Sequence, residues 1–141
     1  MRRAFLILLL ILAAPVLSAP TVSTEDLNVR RVSQLTTYVE TSAVNTQLTV
    51  SCAPGHAFRF LWASVKYSGA ASVSVTTTLD SGAGATYDVV MDTVVLSAGT
   101  VAFMPATTDS RIFRASDAVV VTAPAVAAVT AAVVCQVEVI Y

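Results

Sequence analysis

Between Val73 and Leu96 two alternating segments face each other across the Gly-rich connection Asp80-Ser81-Gly82-Ala83-Gly84-Ala85, a pattern that specifies a β-hairpin. Val73, Val75, Thr77 and Leu79 share one face of the first segment, and Tyr87, Val89, Met91, Thr93 and Val95 one face of the second. A period of two is the mark of half-buried strands. Gly82 and Gly84 stand where a turn can require positive φ, and Asp80 and Ser81 can hydrogen-bond back onto it.

Further strands read out on either side. Thr36 to Val39 is β-branched and aromatic, giving a strand over about Leu35 to Val39, although Val29, Val32, Leu35 and Val39 also approach a helical spacing. Thr46 to Cys52 alternates cleanly and ends in the turn Ala53-Pro54-Gly55-His56. In Phe58 to Tyr67, Phe58, Phe60 and Trp62 share one face while Arg59, Leu61, Ala63, Val65 and Tyr67 share the other, so the strand is central. Ser68 to Ala71 reads as a turn, Val101 to Met104 as a strand stopped by Pro105, and Thr107 to Ser110 as a connection to a short Arg111 to Arg114 segment. Ala118 to Thr122 and Ala131 to Tyr141 complete the set, Pro124 and the β-branched residues arguing against a helix between them. The fold class is all-β: a single antiparallel β-sandwich or jelly roll of about eight strands.

The N-terminus is different in kind. Arg2 and Arg3 precede an unbroken apolar run from Ala4 to Ala14, then Pro15 and small residues, which is a secretory signal pattern with cleavage expected near Ala19. The run falls short of the roughly 20 residues that span a bilayer, so no stable membrane span is expected after cleavage. Residues 1–18 are therefore a signal peptide or apolar N-terminal segment, 19–34 an extended polar arm, and 35–141 the sandwich domain. Losing Arg2 and Arg3 takes the net charge from −1 to −3. With Arg30-Arg31 as the one adjacent cationic pair beyond the leader, nucleic acid is not an expected partner.

In an exported chain the two cysteines, Cys52 and Cys135, read as a disulfide. Cys52 is in phase with Leu48 and Val50, and Cys135 with Val133, Val137 and Val139, so both thiols are expected in one core.

Chemistry-bearing patterns are sparse. Leu79-Asp80-Ser81-Gly82-Ala83 resembles the catalytic loop of retroviral-type aspartic proteases, but the later hydrophobic-hydrophobic-Gly element is missing and a turn accounts for the same residues. His56 is the sole histidine, it sits in a Pro-Gly turn, and no Gly-x-Ser-x-Gly elbow accompanies it. One histidine and two distant cysteines do not make a zinc site, and Asp80, Asp88 and Asp92 lack the spacing of calcium loops, so neither a metal nor another cofactor is expected. Trp62 reads as packed within its central strand, and Tyr67, Asp80 and Tyr87 as the candidates for surface contact.

The segment Leu79-Asp80-Ser81-Gly82-Ala83-Gly84-Ala85-Thr86-Tyr87-Asp88-Val89-Val90, then Leu96-Ser97-Ala98-Gly99-Thr100-Val101 and Ser116 to Thr122, resembles a pattern in small all-β structural proteins of tailed phages and prophages. The resemblance runs over about residues 77–141 and implies a virion component, a capsid-decoration or tail-associated subunit, working as an oligomer without catalytic residues. The leader departs from it, because virion proteins are ordinarily assembled in the cytoplasm. The expectation is a non-enzymatic structural or adhesive β-sandwich, secreted or virion-borne, whose partners are copies of itself or a larger protein assembly. A secreted module binding a cell-surface glycan is the alternative, and an aspartic protease a distant third.

Overall fold

Strand β8, Ala131–Ile140, alternates buried and half-buried residues without a break, its inward face apolar throughout and its outward face mixing Ala132, Val134 and Ile140 with Gln136 and Glu138. Its place follows from that pattern. The computed structural model describes residues 33–106 and 111–141; the apolar leader, the arm up to residue 32 and the connection 107–110 lie outside them. The described residues form β1 (Ser33–Thr41), β2 (Leu48–Cys52), β3 (Phe58–Ala71), β4 (Ser74–Asp80), β5 (Val89–Val95), β6 (Gly99–Pro105), β7 (Ala118–Ala123) and β8. A single 3₁₀ turn, Ala85–Tyr87, interrupts the order among these residues.

The strands make two antiparallel four-stranded sheets, ordered β1-β8-β3-β6 and β2-β7-β4-β5, packed as the expected sandwich. Between them lie Val50, Phe58, Val65, Val75, Met104, Val119, Val121, Val133 and Val137, all essentially inaccessible to solvent. Cys135, mid-strand in β8, is bonded to Cys52 at the end of β2, so one covalent link joins the two sheets through this core.

Two register shifts correct the reading of faces. In β3 the partner register jumps between Phe60 and Trp62, which makes Leu61 an extra residue. A bulge of this kind reverses the alternation beyond it. Phe58 and Phe60 consequently share the core face with Ala63, Val65 and Tyr67, while Trp62 moves to the opposite, half-exposed face. In β5 the jump lies between the partners of Thr77 and Thr78, leaving Met91 as the extra residue. Met91 and Val94 therefore pack against the core, whereas Val89 and Val95 are exposed. Thr77, fully buried opposite that bulge, has a hydroxyl with no hydrogen-bond partner among the described residues.

Two boundaries also move. β1 is a nine-residue strand, longer at both ends than Leu35 to Val39 and including the last two residues of the expected arm. Ser68 to Ala71 is strand rather than turn. There Ser68 N–H donates to the Thr130 carbonyl at 3.0 Å and Ser68 Oγ accepts from Thr130 N–H at 3.0 Å, a zipper that replaces the hydrogen bonds of a turn.

The disulfide closes a loop with a sequence separation of 83 residues. The loss of unfolded-chain entropy for such a loop corresponds to about 4 to 5 kcal/mol. The double variant Cys52→Ala/Cys135→Ala should keep its strand content yet unfold in urea with a free energy lower by about 2 to 5 kcal/mol. An unchanged unfolding midpoint would show that the link contributes nothing to the fold.

Candidate functional site

The loop joining β4 to β5 is held by carboxylates other than the one expected. Asp88 Oδ1 accepts from Ser81 N–H at 2.8 Å, and Asp117, brought in from the start of β7, accepts from Gly82 N–H at 3.1 Å through Oδ1 and from Arg114 N–H at 2.9 Å through Oδ2. Asp117 is buried and so clamps two loops at once. Asp80 ends β4, exposed, and takes no part in these bonds among the described residues. The two glycines are required for separate reasons. Gly84 sits at φ 116° and ψ 161°, a region essentially reserved for glycine. Gly82 has no such φ, but a Cβ there would sit on the Ser116 side chain and carbonyl. Backbone amides in this loop are spent on turn closure, Gly84 N–H to Ser81 O at 2.9 Å and Tyr87 N–H to Gly84 O at 3.0 Å.

Of the three surface candidates, Tyr67 is corrected. Its side chain is 2 % exposed and belongs to the core, because the Leu61 bulge brings the face it shares with Ala63 and Val65 into step with Phe58 and Phe60. The Tyr67 hydroxyl donates to the Pro124 carbonyl at 3.2 Å, and burial pushes its phenol up. Tyr87 is exposed on the 3₁₀ turn beside Asp88, seven residues along from Asp80, at the tip of the hairpin. His56 is exposed with its ring 4.9 Å from that of Tyr141. Among the described residues no three His, Cys, Asp or Glu side chains gather as a metal-holding group. Nor, among them, is any helix long and apolar enough to cross a membrane.

The outer face of the β1-β8-β3-β6 sheet carries a larger feature. Register aligns its outward residues in rows: Val39, Val134, Ser64 and Phe103 in one, and Thr37, Gln136, Trp62 and Pro105 in the next. Leu35, Glu138 and Arg59 form a row on one side, and Thr41, Ala132, Lys66 and Val101 a row on the other. Leu35, Val39, Val101 and Phe103 are 61, 64, 53 and 56 % exposed. Trp62 and Phe103 rings stand 6.0 Å apart at 30°, and Trp62 Nε1–H donates to Gln136 Oε1 at 2.9 Å, fixing the indole on the sheet. The Arg59–Glu138 pair, 3.3 Å across the strands, borders the apolar rows, and being partly exposed contributes little to stability. Together these side chains make an exposed apolar face on the outer side of the sheet.

Alternation alone did not reveal this face. Trp62 reads as a core residue unless the Leu61 bulge is known, and β1 lacked a clean period. The usable signal was in β8, where Val134 and Ala132 stand in the outward phase of a strand whose inward phase is already apolar. No protein-family profile matches the sequence, and neither does any curated protein.

The loop geometry orders a set of variants. Asp117→Ala strands two amides and should cost about 1 to 3 kcal/mol, Gly84→Ala about 1 to 3 kcal/mol through its backbone conformation, and Gly82→Ala about 1 to 3 kcal/mol through overlap with Ser116. Asp80→Asn should stay within about 0.5 kcal/mol of the parent. Denaturant unfolding of the four variants checks the order, and a loss in Asp80→Asn equal to that in Asp117→Ala would contradict it.

Proposed function

We propose that this protein is a non-enzymatic structural or adhesive subunit that works by presenting the outer face of its β1-β8-β3-β6 sheet to like subunits or to a larger particle. One observation carries the reading: four large apolar side chains more than half exposed on that face, around the anchored Trp62. In water such a face is stabilised by being covered. Cys52 is held in the disulfide, and Asp88 and Asp117 are engaged on loop amides. A disulfide through the core suits an oxidising location, whether extracellular or on a virion surface. Within this reading the phage-like pattern over residues 77–141 favours a capsid-decoration or tail-type assembly subunit, homo-oligomeric in its own right.

A glycan-binding module is the second reading, favoured by Tyr87 at the hairpin tip, 63 % exposed and free of the core. The two readings use different surfaces. Phe103→Lys should leave the thermal midpoint near the parent's, since exposed substitutions ordinarily cost under about 0.5 kcal/mol, while abolishing association in sedimentation velocity. Association and particle binding unchanged in Phe103→Lys would overturn the proposal, and polysaccharide binding lost in Tyr87→Ala would put the second reading in its place.

A further inference from the structure

A sheet edge with unpaired backbone groups is a template for another strand, and folded proteins ordinarily shorten, bend or charge such edges. Three of the four edges here carry such protection. β2 is five residues long and is followed by Pro54. β5 is bent by the Met91 bulge and carries Asp92. β6 ends in Pro105 and begins at Gly99. β1 has neither a bulge nor a proline, and it is the longest of the four. It runs for nine residues with no proline, lysine or arginine and with Glu40 as its one charge, and among the described residues it pairs with β8 alone.

We infer that the open edge of β1 pairs with β1 of a second copy of this chain, antiparallel about a two-fold axis at Thr37. The inference rests on the assembly reading above and names its partner. Thr37 is the midpoint of Ser33–Thr41, so this register engages the whole strand. It sets Leu35 opposite Val39 of the second copy, and Val39 opposite Leu35, on the outer face. On the other face Gln34 meets Glu40, and Thr36 meets Tyr38. No like charges oppose, whereas opposed carboxylates would destabilise the pair. Centring the axis one residue later, on Tyr38, sets Leu35 against Thr41 and Val39 against Thr37, and both apolar pairs are lost. An even register keeps the two outer faces on the same side of the joined sheet. Leu35 and Val39 from both copies then bridge the rows that hold Val134, Trp62 and Phe103, giving one continuous apolar face across eight strands.

The register makes a sharp test in the full chain, whose two native cysteines are buried and bonded to each other, leaving an introduced thiol as the only free one. Directly opposed residues of an antiparallel pair lie about 4.5 to 5.5 Å apart at Cα, within the span a disulfide bridges. Thr37→Cys should therefore form a covalent dimer with itself under mild oxidation, seen at twice the chain mass. Val39→Cys alone should not, since the two copies of residue 39 are offset by four residues, about 13 Å along the strand. Mixing Val39→Cys with Leu35→Cys should give the mixed dimer. Adding Gln34→Glu to Thr37→Cys should lower the yield several-fold at low salt by opposing Glu40, and adding Glu40→Lys as well should restore it. Equal yields from Thr37→Cys and Val39→Cys, in variants that melt like the parent, overturn the inference. If Thr37→Cys fails to cross-link while Phe103→Lys still abolishes association, edge pairing falls and the face reading stands. If Thr37→Cys cross-links while Phe103→Lys associates normally, edge pairing stands and the face reading falls.

Discussion

A strand paired on both edges and wholly apolar on its inward face needs a second layer against that face, and β8 is such a strand at the heart of this sandwich. Its inner phase, Val133, Cys135, Val137 and Val139, meets the β2-β7-β4-β5 sheet, and Cys135 makes that meeting covalent through Cys52. Its outer phase, Ala132 and Val134 with Gln136 and Glu138 beyond them, meets no second layer among the described residues. The neighbouring strands repeat the asymmetry. β3 buries Val65 and Tyr67 inward and turns Trp62 outward, and β6 buries Ala102 and Met104 while exposing Val101 and Phe103. The core and the candidate working face are thus two sides of one sheet.

Much of the core was legible from residue phase. Leu48, Val50 and Cys52 alternate with polar residues, Val133 to Val139 alternate in step with Cys135, and two in-phase cysteines in an all-β chain leave little choice of partner. The bulges were not legible. Leu61 and Ala63 are both apolar, so a reversal of phase between Phe60 and Ala63 leaves no mark on the hydrophobic pattern. The same holds at Met91, whose neighbours Val89, Val90 and Val94 are all apolar. Tyr67 and Trp62 exchanged roles for this reason alone. Asp117 escaped notice on different grounds, since one of its two amide partners, Gly82, lies in another loop 35 residues away in sequence.

The hairpin loop shows how a motif resemblance and a fold can use the same residues for different ends. Asp80-Ser81-Gly82 matches a catalytic pattern in letters, yet the loop conformation is set by Gly84 at positive φ, by Gly82 lying against Ser116, and by carboxylates from Asp88 and Asp117. Each of these is a device for holding a turn. Strand register arranges aromatic and aliphatic side chains on the outer face of the other sheet, beside a β1 edge that among the described residues pairs with β8 alone.

The claim that this sheet and its β1 edge are the working surface is tested most directly by backbone hydrogen–deuterium exchange of the full chain at low and at high protein concentration. Edge amides that point away from β8 exchange readily in a lone subunit and slowly once paired. Slowing on concentration confined to the β1 peptides, with β2 and β5 unchanged, is the predicted result. Slowing confined to β2 or β5, or exchange independent of concentration where sedimentation shows association, would contradict it.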